Sequence, residues 1–310
     1  MNDIFCTYFD HNYLERALLM IESLRRFDEK IPVHVLALSD LCASILQELA
    51  LPNVEVIPLT DIEAAYPELA SVKSQRKLIE YYFTLSPMLP HYLFARTDAD
   101  RITYIDADIY FFSSPRPVLD SLGEASVAIT PHRFSNNYQG HIVYGRFNVA
   151  WVTYRRCREG LDCLNAYKAD CLAWCYDRLE GNRFGDQKYL DAWPDRYPAL
   201  KIITHKGVNL AAWNVHGCLI RFKNNQVMID DEDPLVFYHF ASTKFLPDGS
   251  ATIAIDPGGS RRSIAALQEH VILPYKLKLE ERRRVLDAQF PALRQARSDM
   301  RYPASGQRPT

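Results

Sequence analysis

Two aspartates one residue apart close an apolar run in Tyr104-Ile105-Asp106-Ala107-Asp108-Ile109-Tyr110-Phe111-Phe112. Side by side, the carboxylates of Asp106 and Asp108 repel unless a cation lies between them. Hard divalent ions such as Mg²⁺ or Mn²⁺ take carboxylate oxygens and keep positions open for phosphate oxygens. A second apolar run, Leu235-Val236-Phe237-Tyr238-His239-Phe240, carries a histidine at its end with Lys244 five residues on. His239 can add a nitrogen ligand to the same ion, and Lys244 can neutralise a phosphate. Either motif alone also reads as an ordinary strand end, with solvated aspartates in one and a satisfied histidine in the other. The two together make a candidate metal and phosphate site.

Such groups need a scaffold, and the first half of the chain alternates strand-like and helix-like patterns, the signature of an α/β layer around a largely parallel sheet. Strands are predicted over 4–9, 32–38, 54–58, 102–105, 109–112 and 125–130. Helices are predicted over 14–27, where Leu14, Leu18, Ile21 and Leu24 keep the 3.6-residue period, and over 41–50 and 75–85. In open α/β sheets ligands bind beyond the carboxyl ends of strands, which is where Asp106 and Asp108 fall. The second half predicts a strand over 147–154, a long helix over 160–179 and a strand over 235–240. It is richer in tryptophan, tyrosine and asparagine, whose apolar faces and amides suit sugar rings and hydroxyls.

Composition limits what else the chain can be. Its 310 residues are 48% hydrophobic, and 36 basic against 38 acidic side chains leave a net charge near −2, so no overall field recruits nucleic acid. No apolar stretch approaches the roughly 20 residues of a membrane span. The start, Met1-Asn2-Asp3-Ile4-Phe5, has no basic segment followed by an apolar one, and the expected location is cytoplasmic. Seven cysteines at irregular spacing read as reduced thiols, and Cys157, Cys163, Cys171 and Cys175 as small apolar packing residues. A domain over 1–270 and a basic helical extension over 271–310 are expected. Lys276, Lys278, Arg282, Arg283, Arg284, Arg294, Arg297 and Arg301 make this tail a solvated helix or, with Leu277, Leu279, Val285 and Leu286, a candidate for peripheral contact with an anionic membrane face.

The Tyr-Ile-Asp-Ala-Asp-Ile segment followed by His-x-x-Ser-x-Lys resembles the nucleotide-sugar glycosyltransferases of the GT-A fold, nearest to glycosyltransferase family 8, over roughly residues 4–245. The resemblance implies an α/β fold with a mixed, mostly parallel sheet flanked by helices. It also implies Mn²⁺ (or Mg²⁺) held by Asp106, Asp108 and His239, and a UDP-sugar donor. Tyr8-Phe9-Asp10-His11-Asn12-Tyr13 is similar to the family's uridine-binding turn, which gives Asp10 and Asn12 to the base and Tyr13 to stacking on it, with Tyr8, Ala107 and Lys244 among the donor contacts. Without the family, Asp10-His11-Asn12 is a helix N-cap region. Phe184-Gly185-Asp186-Gln187 resembles the Asp-Gln pair beside the donor sugar, which implies Asp186 on sugar hydroxyls and Gln187 near the anomeric carbon. The segment carrying Asn148 resembles the family's Phe-Asn-x-Gly strand, with Ala150 in place of glycine, and those carrying His132 and Asn209 to Trp213 resemble segments of uncharacterised bacterial transferases of this type, which makes His132, Asn148, Asn209 and Trp213 candidate sugar or acceptor contacts. The chain departs from the family at Ser242, where glycine is usual, and at Phe245-Leu246, where Pro-Trp follows the lysine. The family's arginine upstream of the aspartates is missing from Tyr82-Phe83-Thr84-Leu85-Ser86, which leaves Lys73, Arg76 and Lys77 as replacements.

The activity implied is transfer of a sugar to a hydroxyl of a glycan or lipid-linked acceptor, in the synthesis of bacterial surface polysaccharide or lipopolysaccharide. Retention follows from the family; if this branch inverts, Asp186 is the candidate base. A rival reading takes Asp106 and Asp108, with Val227-Met228-Ile229-Asp230-Asp231, as an aspartyl-phosphate hydrolase of the haloacid dehalogenase type with Asp106 as nucleophile. A third is a non-catalytic sugar-nucleotide or glycan-binding module.

Overall fold

A computed structural model describes residues 1–255 and 260–299, so Arg301 and the end of the 271–310 tail lie outside the described residues. The strands that build the main sheet are β1 (Asp3–Phe9), β2 (Val33–Ala37), β3 (Val54–Pro58), β4 (Arg101–Ile105), β6 (Val127–Pro131), β7 (Phe147–Arg155) and β8 (Leu200–Ile202), while β5 (Ile109–Phe111) leaves it. Their order is β3-β2-β1-β4-β7-β6-β8, with β7 antiparallel to both neighbours and every other pair parallel. Every residue of β2 and β4 is buried, as expected of strands covered on both faces.

Alternation along β1 divides the core. Phe5 and Phe9 face helices Leu14–Arg25 and Asp40–Leu49, whereas Ile4 and Cys6 face the layer containing helices Leu59–Ala65, Met88–Phe94 and Arg158–Ala173. From β1 the chain proceeds outward to β2 and β3, then returns to the other side of β1 as β4. The crevice at this reversal lies at the carboxyl ends of β1 and β4, so the segments after Phe9 and Ile105 lie side by side.

A smaller sheet brings in the distant histidine. After the short strand β9 (Leu210–Ala211) comes the antiparallel run β10 (Ile220–Lys223), β11 (Gln226–Ile229) and β12 (Asp233–Pro234), and then β13 (Phe237–His239). Strand β13 lies between β5 and β9, with His239 opposite Ile109 and Ala211. This pairing fixes His239 beside Asp108. Approach of the backbones is close: a Cβ on Gly207 would lie 1.9 Å from the Pro234 carbonyl oxygen. A ribbon of β14 (Thr243–Phe245) and β15 (Ala251–Ile253) follows.

Two helix expectations need correction, and Arg76 explains both. The helix predicted over 75–85 is two helices, Leu69–Gln75 and Leu78–Thr84, with Arg76 extended between them. The helix predicted over 160–179 ends at Ala173. Arg76 donates to the carbonyls of Cys171 and Leu172, capping the end of that helix at the point where its own backbone leaves the helical region. Helix Met88–Phe94, absent from the prediction, follows Pro87. The strand expected over 235–240 is limited to Phe237–His239.

The C-terminal helix Leu273–Gln289 packs along Leu14–Arg25. Tyr275, Leu279 and Leu286 are buried there, and Phe290 and Leu293 join the core that holds Leu14 and Leu18. Leu279 and Leu286 are therefore core residues and not part of an apolar surface; Leu277 and Val285 stay exposed. No described helix is long and apolar enough to cross a membrane. All seven cysteines are free, with Cys163, Cys171 and Cys175 buried.

Candidate active site

Asp106, Asp108 and His239 meet at the end of β4, each offering a ligand atom within 4.8 Å of the others. His239 Nε2 lies 3.1 Å from Asp108 Oδ1 and 3.7 Å from Asp106 Oδ2. Burial pushes the Asp106 carboxyl up to about 7, against the pull of His239 and with a further push from Asp108. Burial acts the same way on Asp108, but His239 and then Arg16 outweigh it and hold that carboxyl below its usual range. His239 is raised, since Asp108 and Asp106 overcome the burial that would lower it. The aspartate side chains remain 21% and 13% exposed, so the cluster is open to a ligand from solvent.

Behind His239, Asn209 Oδ1 lies 3.2 Å from Nδ1. An amide oxygen only accepts, so Nδ1 carries a proton and Nε2 is the nitrogen turned toward the aspartates; it donates to Asp108 in the metal-free cluster and offers a lone pair to a metal ion on losing that proton. Asn209 is fully buried at φ +59°, a left-handed conformation that asparagine tolerates, and its Nδ2 has no partner among the described residues. Expected as a sugar or acceptor contact, Asn209 instead orients the histidine. Replacing it with alanine is expected to weaken Mn²⁺ binding by about 10–100-fold. Titration of the variant with Mn²⁺ checks this, and an unchanged affinity would refute the orienting role.

His132 and Asn148 are likewise supporting residues and not open sugar contacts. Asn148 Nδ2 donates to His132 Nε2 at 3.1 Å and its Oδ1 accepts from the Ala150 amide, so the amide is used internally. Burial, then the charge of His239, lowers His132 to about 3 and keeps it neutral. Trp213 donates to the His132 carbonyl and sets its ring edge-on to His239, centroids 5.2 Å apart. Of the four residues assigned to sugar or acceptor, Trp213 alone keeps an appreciable exposed surface.

Two hydroxyl arms join the metal cluster to the Asp-Gln pair. Tyr104 Oη donates to Asp106 Oδ1 at 2.9 Å. Ser86 Oγ donates to Asp186 Oδ2 at 2.5 Å and accepts from Tyr8 Oη at 3.0 Å. The Tyr8 and Tyr104 rings lie 5.4 Å apart, and Tyr8 bears on Asp186 through Ser86. Asp186 is 4% exposed, and burial pushes its carboxyl up to about 6 against the hydrogen bond from Ser86. Gln187 Nε2 donates to the Tyr144 carbonyl at 3.0 Å, which fixes the side chain.

At the end of β1, Asp10 accepts from the Asn12 amide nitrogen and from Asn12 Nδ2. The N-cap of Leu14–Arg25 is Tyr13, without a side-chain cap, so Asp10 and Asn12 do not serve as the helix cap. Tyr13 is 40% exposed with the Arg16 guanidinium 4.7 Å from its ring. Lys244 is exposed on β14. Among the candidate replacement cations, Arg76 is bound to Thr84, Cys171 and Leu172, Lys73 pairs with Glu63, and Lys77 is exposed. The sequence reading missed Tyr104, Ser86 and Arg16. Period-2 alternation puts Tyr104 on the same strand face as Asp106 and could have found it.

No protein-family model matches the chain. YfnD of Bacillus subtilis (strain 168), an uncharacterised protein, is 30% identical over 241 residues, 76% of this chain and 76% of YfnD. YfnF of the same organism, also uncharacterised, is 28% identical over 262 residues, 79% of this chain and 83% of YfnF. The galactosyltransferase LgtC, solved with donor and acceptor sugar analogs, matches with a TM-score of 0.52 at 18% identity over 77% of this chain and 87% of LgtC. An LgtC variant with an active-site glutamine changed to glutamate matches with a TM-score of 0.50 at 16% identity, over 77% and 87%. Likeness at these identities is one of architecture, shared in the mostly parallel sheet and its flanking helices. The chain belongs to the family of YfnD and has the GT-A glycosyltransferase fold.

Proposed function

We propose that the protein is a divalent-metal-dependent glycosyltransferase that takes a UDP-sugar and moves the sugar, with retention, to a hydroxyl of a glycan or lipid-linked acceptor. The observation that carries this is the meeting of Asp106, Asp108 and His239 at the carboxyl ends of β1 and β4, beside the turn that bears Asp10, Asn12 and Tyr13. Two carboxylates and an imidazole whose far nitrogen is already engaged form a donor set suited to Mn²⁺, and to Mg²⁺ if the nitrogen is left aside. A divalent ion there supplies Lewis-acid stabilisation of the charge that develops on the departing diphosphate.

The chain's own residues do the rest. Asp10 and Asn12 present a carboxylate and an amide to the edge of the base, and the exposed ring of Tyr13 stacks on its face. Asp186 accepts from sugar hydroxyls, and Ser86 keeps it aligned. We assign Gln187 the place of the glutamine altered in the LgtC variant. The acceptor hydroxyl is brought to the anomeric carbon by positioning.

The haloacid dehalogenase reading loses the later aspartates it relied on. Asp230 pairs with Lys206 and accepts from the Leu219 amide, and Asp231 pairs with Arg221, so neither joins Asp106 and Asp108. Calorimetric titration of UDP with and without Mn²⁺, followed by hydrolysis assays on UDP-sugars, tests the proposal. Metal-dependent UDP binding with slow UDP-sugar hydrolysis is expected. Binding without turnover on any donor and acceptor would support a non-catalytic module, and phosphomonoesterase activity without UDP binding would overturn the assignment.

A further inference from the structure

Arg16 lies in the first turn of helix Leu14–Arg25 and is 8% exposed. A guanidinium buried to this degree must find partners for its N–H groups, because an unpaired buried charge is strongly destabilising. Its partners come from two segments more than 200 residues apart. Nη1 donates to the Asn12 carbonyl at 3.4 Å and Nη2 to the Thr243 carbonyl at 3.2 Å. The same group lies 4.7 Å from the Tyr13 ring centroid and 5.3 Å from that of Phe245. One side chain thus contacts both the turn that carries Asp10, Asn12 and Tyr13 and the ribbon that carries Lys244.

The C-terminal helix holds this arrangement from outside. Arg283 lies 4.0 Å from the Phe245 ring centroid, so the ring meets two cations. Glu15, fully buried, lies 3.9 Å from Arg16 and 3.6 Å from Arg283, and accepts a hydrogen bond from Arg297. One carboxylate is shared by three arginines, two of them from the C-terminal region.

We propose that Arg16 is a positioning residue that sets the base-binding turn and the phosphate-side ribbon of the nucleotide site in register, and that the C-terminal helices hold it in place through Glu15 and Arg283. The proposal rests on the UDP-sugar reading above. A fork with two donor nitrogens and a flat face is required; a lysine has neither the fork nor the face.

The test is calorimetric titration of the full chain with uridine, with UDP in saturating Mn²⁺, and with Mn²⁺ alone, for wild type, R16K and R16Q. Uridine spans only the turn, whereas UDP spans turn and ribbon. In R16Q, UDP affinity is expected to fall about tenfold, or 1.4 kcal/mol, with uridine affinity within about twofold of wild type; the Mn²⁺ titration reads separately the loss of the Arg16 charge that acts on Asp108. R16K is expected to recover little of the loss. General destabilisation would weaken uridine and UDP together, and that result overturns the proposal, as does full rescue by lysine. Should R16Q not fold, R283Q removes one cation from Phe245 while leaving Arg16 in place, and a smaller selective loss of UDP is expected. Wild type that binds UDP beside variants that bind it equally well overturns the proposal alone; wild type that binds no UDP overturns the donor reading and the proposal with it.

Discussion

Asp108→Asn is expected to lower metal-dependent turnover of the UDP-sugar by about 10²–10³-fold while leaving the fold intact. The magnitude follows from losing one of two charged ligands in a site whose chemistry rests on stabilising leaving-group charge, where single electrostatic contacts are worth about 10²–10³-fold. The fold is expected to survive because loss of the Asp108 charge has two opposed effects: it relieves the push on the Asp106 carboxyl and forfeits the attraction of His239 and Arg16 that holds Asp108 below its usual range. His239, raised chiefly by Asp108, then becomes neutral more readily and keeps its bond to Asn209. Thermal unfolding separates the two effects. Mn²⁺ at 100 times its dissociation constant stabilises wild type by about 2.7 kcal/mol, and the variant should show almost none of this shift while melting near wild type without metal. Full turnover in the variant, or an undiminished Mn²⁺ shift, would remove Asp108 from the ligand set.

The parts of this site that obey a local period were legible in the sequence, and the parts held by long-range contacts were not. Apolar runs located the strands β1 and β4, and an Asp-x-Asp that interrupts an apolar run marked the crevice. His239 could be named as a strand-end histidine, but the pairing of β13 with β5 that brings it to Asp108 is a property of the topology. Side chains that cross between elements leave no periodic trace. Arg76 ends a helix almost 100 residues away, and Ser86 reaches Asp186 across 100 residues. Asn209 was recognised for its amide, yet burial and a left-handed backbone set it against His239. In the tail, a dense run of arginines suggested a surface helix, whereas Glu15 takes Arg283 and Arg297 inward and the helix packs on the core. Charge patterning reports where side chains can be solvated; it does not report a buried partner elsewhere in the chain.

Asp186→Asn is expected to gain stability and lose activity, each with its own pH dependence. The Asp186 carboxyl is held at about 6 against an ordinary value of 3.8, with burial as the main cause. Because the folded value is the higher one, the stability contributed by this group is fully present below 3.8 and is lost as pH rises through about 6. By pH 8 the ionised group weighs against folding by on the order of 3 kcal/mol. Asparagine is never charged, and its oxygen can still accept from Ser86, but its NH₂ cannot replace the second acceptor oxygen. A net gain of about 1–2 kcal/mol at pH 8 is therefore expected, seen as a melting point higher by a few degrees. The gain should vanish at pH 4.5, where wild type is neutral at this position. Turnover runs the other way. The ionised carboxylate makes the stronger, charge-assisted bonds to sugar hydroxyls, so wild-type kcat/KM should fall as pH drops through about 6, and the variant should lose about 10²-fold at pH 8. Melting curves and UDP-sugar turnover at both pH values measure the two halves together. A variant equally stabilised at pH 4.5 and pH 8 would show that burial of charge is not the cause, and one that keeps wild-type turnover would remove Asp186 from the donor-sugar site.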